Sequence, residues 1–203
     1  VTDFSTLKAR VADELNRSDL TSQIASAVTR AIDFYADERL SFNEGRLTVA
    51  TTADSDYVDH PAGLRKVDYV YATVGGHKYK LVKREFDELE TWHGASNSSG
   101  QPLDFANRGG QFYIFPTPNK AYTLTVTGLY DEPALSADDD TNDWCAGIPQ
   151  DLIVARAKFT IGRDILFDDE MMRNSALAER EALLRLRAED NEMTSDNKVS
   201  PGW

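Results

Sequence analysis

The chain has 203 residues, and at roughly 150 per domain that allows one globular unit or a core carrying a sizeable insertion. A content of 41% hydrophobic and 28% charged residues is that of a globular protein and excludes collagen-like, coiled-coil and wholly disordered chains. Lys and Arg number 22 against 34 Asp and Glu, a net charge of −12, which argues against gripping a phosphate backbone, where affinity comes from basic residues displacing counterions. The single cysteine, Cys145, excludes an internal disulfide framework or a Cys-rich zinc site and points to a reducing compartment. No run approaches the roughly 20 apolar residues of a membrane span, and Val1 to Ser5 has neither the basic nor the apolar part of a secretory signal, so synthesis in a cytoplasm without export is expected.

In chain order, Phe4, Leu7, Val11 and Leu15 recur at spacings of three and four and predict a first helix over Ser5 to Asn16. Ser18 or Asp19 can cap a second, with Ile24, Val28, Ile32 and Tyr35 as its stripe and Ala27 and Ala31 beside it. After Gly45, β-branched and aromatic residues alternate with polar ones as far as Tyr130, the pattern of strands. Val67 to Val74 and His77 to Val82 flank Gly75 and Gly76, which predicts a hairpin. A second pair, Gln111 to Phe115 and Tyr122 to Leu129, is expected across Pro116 to Asn119, with a short helix at Phe86 to Trp92 and a polar loop at Gly94 to Gly100. Pro149 suits the first turn of a third long helix through Leu152, Ile153, Arg156, Phe159 and Gly162. A fourth is expected over Asp168 to Arg187, with Asp168, Asp169 and Glu170 at its start and Arg180, Arg185 and Arg187 near its end, as the helix macrodipole favours. From Ala188 to Trp203 the chain is polar and contains Pro201 and Gly202, so no order of its own is expected there.

The expected fold class is therefore α+β: an α-helical bundle core from both chain ends (1–45 and 134–187), an inserted antiparallel β module (46–133) and an extended C-terminal arm (188–203). Charge is uneven along it. Arg65 to Arg84 carries six bases and one acid, whereas Asp131 to Asp151 carries seven acids and no base. Either these are two solvated loops, or opposite patches meet between neighbouring copies in a head-to-tail contact.

Catalytic signatures are missing: no GxSxG, phosphate-binding or dinucleotide fingerprint occurs, and Gly75-Gly76 and Gly109-Gly110 read as turns. His60, His77 and His93 form no helical metal pair and are expected at the surface, and Cys145 beside Trp144 reads as a buried structural thiol. Asp138, Asp140 and Asn142 take the first, third and fifth places of a calcium loop, but Asp143 stands at the glycine position and Pro149 at that of the last glutamate, so a helix-capping loop is the plainer reading. Glu85, Asp87, Glu88 and Glu90 could hold a general acid and base, although a short helix usually presents such residues to water. Tyr69, Tyr71, Tyr79, Phe105, Phe112, Tyr113, Phe115, Tyr122 and Tyr130 are expected to form sheet core and cross-strand pairs, some serving as interface anchors.

Gly100 to Pro102, Phe105, QFYIFPTP at Gln111 to Pro118, YTLTV at Tyr122 to Val126, Tyr130, PALS at Pro133 to Ser136, Asp140 to Asn142, Trp144 and Pro149 resemble the head-to-tail adaptor (head completion, tail accessory factor) proteins of tailed bacteriophages. The element order is similar too, and the stretch from Gly100 to Pro149 carries most of the resemblance. It implies a non-enzymatic virion protein of the neck, made in the host cytoplasm, without cofactor, metal or membrane contact. Such a protein forms a homo-oligomeric ring, commonly of twelve copies, beneath the portal protein, carries a tail nozzle or other tail component, and lets DNA pass without specific binding. On that view Asn197, Val199, Pro201 and Trp203 belong to a portal-docking arm, and Lys78, Lys80, Lys83 and Arg84 face Asp138, Asp139, Asp140 and Asp143 of the next copy. The alternatives from other classes are a cell-wall glycosidase of a phage tail and a calcium-dependent binding module.

Overall fold

The computed structural model describes residues 2–95 and 98–195. They form a mixed α+β protein with five α-helices and largely antiparallel sheets, divided into a helical unit (1–43 and 131–203) and a β unit (44–130).

In the helical unit, α1 (Phe4–Leu15) buries Phe4, Leu7, Val11 and Leu15, the stripe its spacing predicts. The Asp3 carboxylate accepts from Thr6 N at 2.8 Å to cap its start, and Asn16, in the left-handed region at φ 51°, closes its end through carbonyls of Ala12 and Asp13. Helix α2 (Thr21–Tyr35) buries Ile24, Ala27, Val28, Ala31 and Tyr35. Neither Ser18 nor Asp19 caps it; Leu20 holds the cap position without a side-chain bond. Asp19 is instead gripped by both arms of the Arg17 guanidinium at 2.7 Å, a bidentate bond that a single hydroxyl-type cap does not match.

Helix α4 (Gly147–Ile161) follows a single 3-10 turn at Asp143–Cys145 and is buried almost all round. Besides the expected Leu152 and Ile153, it buries Val154, Ala155, Ala157 and Ile161, which a one-sided stripe does not reveal. A π-helical turn at Gly162–Leu166 and a left-handed Phe167 (φ 52°) lead into α5 (Asp169–Ser195), whose start is capped by Asp168 accepting from Met171 N at 2.9 Å. One cluster contains residues of α1, α2, α4 and α5 together with Trp144 and Cys145.

Helix α5 runs past the expected end at Arg187, so 188–195 is helical rather than extended. Ala188, Glu189 and Glu192 are good helix formers, and the first residues that break helices come later, at Pro201 and Gly202. Arg180, Arg185 and Arg187 therefore stand in mid-helix, away from the macrodipole's negative end, and Arg187 reaches sideways to Glu38 at 2.7 Å. Asn197, Val199, Pro201 and Trp203 lie outside the described residues.

Among the described residues the β unit holds ten strands: β1 (Glu44–Ala50), β2 (Tyr57–Asp59), β3 (Leu64–Val74), β4 (His77–Lys80), β5 (Val82–Lys83), β6 (Ser99–Gly100), β7 (Asp104–Arg108), β8 (Gln111–Phe115), β9 (Thr117–Pro118) and β10 (Thr123–Tyr130). Helix α3 (Phe86–Ala95) lies between β5 and β6 in sequence. One sheet has the order β1-β10-β3-β4, a second β2-β8-β7-β5, and β6 pairs with β9. Val70, Ala72, Leu124 and Val126 of the first sheet and Phe105, Phe112 and Ile114 of the second share one core with Leu81.

The β3–β4 hairpin forms as predicted, with Gly75 and Gly76 at φ 56° and 82°. The second expected pair does not form. Strand β8 turns back on β7 through Gly109 and Gly110, at φ 62° and 82°, whereas β10 crosses to the other sheet between β1 and β3. Pro116 to Asn119 carries β9, paired with β6, and the turn glycines, rather than the prolines, mark the hairpin.

Candidate functional site

The basic hairpin places Lys78 opposite Thr73 and Lys80 opposite Tyr71, on the exposed edge strand β4. The Lys80 ammonium sits 3.9 Å over the Tyr69 ring, which is itself half exposed. Lys83 is exposed on β5, and neither it nor Lys78 has a carboxylate partner among the described residues. Arg84 differs: its guanidinium donates to Asp104 at 3.0 Å, lies 3.7 Å from Glu88 and stacks near Trp92, so its charge is already answered locally.

The acidic loop is built around the start of α1. Backbone carbonyls of Asp138 and Asp140 accept from Ser5 N and Phe4 N, satisfying helix donors that would otherwise be orphaned. The Asp138 carboxylate takes Lys8 at 2.5 Å. Asp140 accepts from Ser136 N and Ala137 N, both at 2.6 Å, and from Ser136 Oγ, bonds that hold its carboxyl below the usual range. Asn142 accepts from Trp144 N at 3.1 Å and donates to Pro133 O. The three side chains with calcium-loop spacing are thus spent on loop and helix geometry, and among the described residues no group of three or more His, Cys, Asp or Glu could hold a metal. Asp139 and Asp143 remain exposed. Glu132, close to Asp143 and partly buried, is pushed above its ordinary range by that burial.

The carboxylates on α3 do not converge. Asp87 lies 4.0 Å from Arg108, Glu88 faces Arg84, and Glu85 and Glu90 are exposed. The histidines need correction: His77 is exposed at the start of β4, but His60 packs 4.3 Å from Phe112, and His93 Nε2 lies 3.2 Å from Ile114 O. Aromatic surfaces of the sheet draw both rings in, which a reading by charge alone misses. Cys145 is fully buried, its thiol raised by that burial. Phe105 and Phe112 are core, Tyr122 and Tyr130 are nearly so, and Tyr69 and Tyr79 stay about half exposed.

The exposed side chains thus supply charge and aromatic anchors for partners, spread over two units. Nearly all of the net charge belongs to one: the helical unit has 24 acids against 13 bases, the β unit ten against nine. These are the properties of an assembly component. The family model for the SU10 adaptor protein matches residues 2–200, and the chain belongs to that family of phage head-to-tail adaptors. It is accordingly a structural phage protein of the head–tail junction that interacts with other head and tail components. A search of curated proteins finds no match.

Proposed function

We propose that the chain forms a ring under the portal, joins capsid to tail and lines the channel through which DNA leaves during genome ejection. The observation that carries this reading is the partition of charge, with a net −11 on the helical unit and −1 on the β unit. A channel wall rich in carboxylates repels phosphate, so DNA slides past without sticking. In this reading the helical unit, as a bundle core drawn from both chain ends, packs side by side in a ring of about twelve copies, and the β unit meets the next tail component. The segment after Ser195, with Asn197, Val199, Pro201 and Trp203, is the arm that binds the portal. Lys78, Lys80 and Lys83 meet Asp139 and Asp143 of the neighbour, while Arg84, Asp138 and Asp140 hold the two patches in shape.

The test is assembly with purified portal. Truncation after Ser195 leaves the Ser41–Asp190 hydrogen bond in place and should abolish capture by portal; capture equal to that of the full chain would remove the arm from the proposal. In electron micrographs of connectors, the full chain should form a ring between portal and tail, and isolated copies scattered along the tail would sink the ring.

A further inference from the structure

Helix α5 has two unlike sides. Ser175, Ala182 and Leu186 are buried against the helical unit. Leu177 and Leu184, seven residues apart and therefore aligned on the opposite side, are 67% and 58% exposed. With Phe167, 80% exposed, they are the three most exposed large apolar side chains among the described residues. Phe34 is nearly as open, but the Arg156 guanidinium stacks 3.7 Å over its ring, so that surface is partly satisfied. No such cover lies over the α5 leucines.

Arg173 and Arg180 each stand four residues before one of these leucines, both are exposed, and neither has a carboxylate partner among the described residues. A long helix thus presents apolar residues and free guanidinium groups along one crest, in a unit that otherwise carries a large excess of acid. Elsewhere on the same unit, Asp13 of α1 and Asp33 of α2 are exposed carboxylates without a base beside them. Phe167 extends the apolar crest at the corner before α5, where a bulky side chain in the left-handed region (φ 52°) follows the π-helical turn.

We infer that this crest of α5, centred on Leu177 and Leu184 and flanked by Arg173 and Arg180, docks on an acidic surface of a second copy of the chain. The occupant follows from charge: another copy offers the carboxylates that the arginines lack, and a contact between unlike surfaces of identical chains is the kind that closes a ring. Leucine removed from water and Arg facing carboxylate supply, respectively, affinity and register. The inference rests on the ring reading and assigns it one of its faces.

The experiment uses assembled connectors. Leu177→Cys is labelled with a thiol-reactive benzophenone; the only native cysteine, Cys145, is fully buried and stays silent. Copies per connector are counted first, and too few to touch one another overturns the ring reading and this inference with it. After irradiation, a denatured band at twice the 22.6 kDa chain mass supports the crest contact. In rings of the right stoichiometry, an adduct with portal alone, or no adduct, overturns the crest while leaving the ring standing. Arg173→Glu with Arg180→Glu should abolish the two-copy band with helical content unchanged, and an undiminished band would show that charge does not select the partner.

Discussion

The two units solve different packing problems. In the helical unit one apolar cluster draws on both ends of the chain, and long charged side chains bridge its helices, Arg10 to Asp151, Lys158 to Glu14 and Arg156 to Glu179, or tie α5 to the bend after α2, Arg187 to Glu38. The β unit depends on backbone pairing and on close approach of strands. The contrast separates the work of the two kinds of residue. Apolar burial fixes both folds, whereas most exposed ion pairs in the helical unit add about 0–1 kcal/mol each and chiefly leave its surface richly charged. Acid can therefore accumulate on one unit without changing how either is held.

The sharpest way to test that contrast is to remove a core ring from each unit. Trp144, 1% exposed, packs edge-on to Phe42 at 5.0 Å and near Tyr35, and Trp144→Ala should cost the helical unit about 3–5 kcal/mol. Phe112, fully buried against Phe105 at 5.7 Å, should cost the β unit a similar amount as Phe112→Ala. Site-resolved hydrogen exchange should show each substitution draining protection mainly from its own unit; equal loss in both would mean that the two cores share their stability.

A smaller effect probes backbone approach. A Cβ at Gly128 would meet Lys66 O at 2.0 Å, a backbone atom with nowhere to move, at the register shift where β10 passes β3. Gly128→Ala should destabilise the β unit by about 1–3 kcal/mol or more, measured by denaturant unfolding. A neutral result would mean that the strands separate there at little cost.

How much of this was legible depends on the range of the signal. The α1 and α2 stripes are local, and spacing alone named their buried faces. Gly75 and Gly76 are local too. Partner choice is not: nothing near Thr123 to Tyr130 says that this strand pairs with β1 and β3 rather than with β8, because a strand's alternation records its faces and not its neighbours. The end of α5 is hidden for the opposite reason. The residues after Arg187 are polar, yet they are good helix formers, and a helix exposed on most sides needs little apolar content to continue. At the candidate site, the basic hairpin and the acidic loop were visible as charge runs. Which members were free to meet a partner was not, since Arg84, Asp138 and Asp140 are engaged by residues distant in sequence or by backbone groups.

The smallest expected effect separates the units by pH. Asp3 is held to about 2 by the Thr6 and Ser5 bonds of its cap, and Asp19 to about 2 by Arg17, against an ordinary 3.8. Asp140, Asp164 and Glu14 are lowered as well, and all five belong to the helical unit. A carboxyl whose folded value lies below its unfolded one stabilises the fold above the unfolded value and loses that contribution as pH falls through the folded value, here between about 4 and 2. Glu132, raised by burial, works the other way and offsets part of this loss. In the β unit, burial lowers His60 from 6.5; the unfolded chain then takes up a proton that the folded one resists, so stability falls as pH drops through 6.5. Exchange protection in the β unit should therefore begin to decline near pH 6.5, and in the helical unit only below pH 4. Asp3→Asn should flatten the second decline by removing a titrating cap, and His60→Gln the first. If both units lost protection over one pH range in the wild-type chain, the division of titrating groups between them would not govern acid stability.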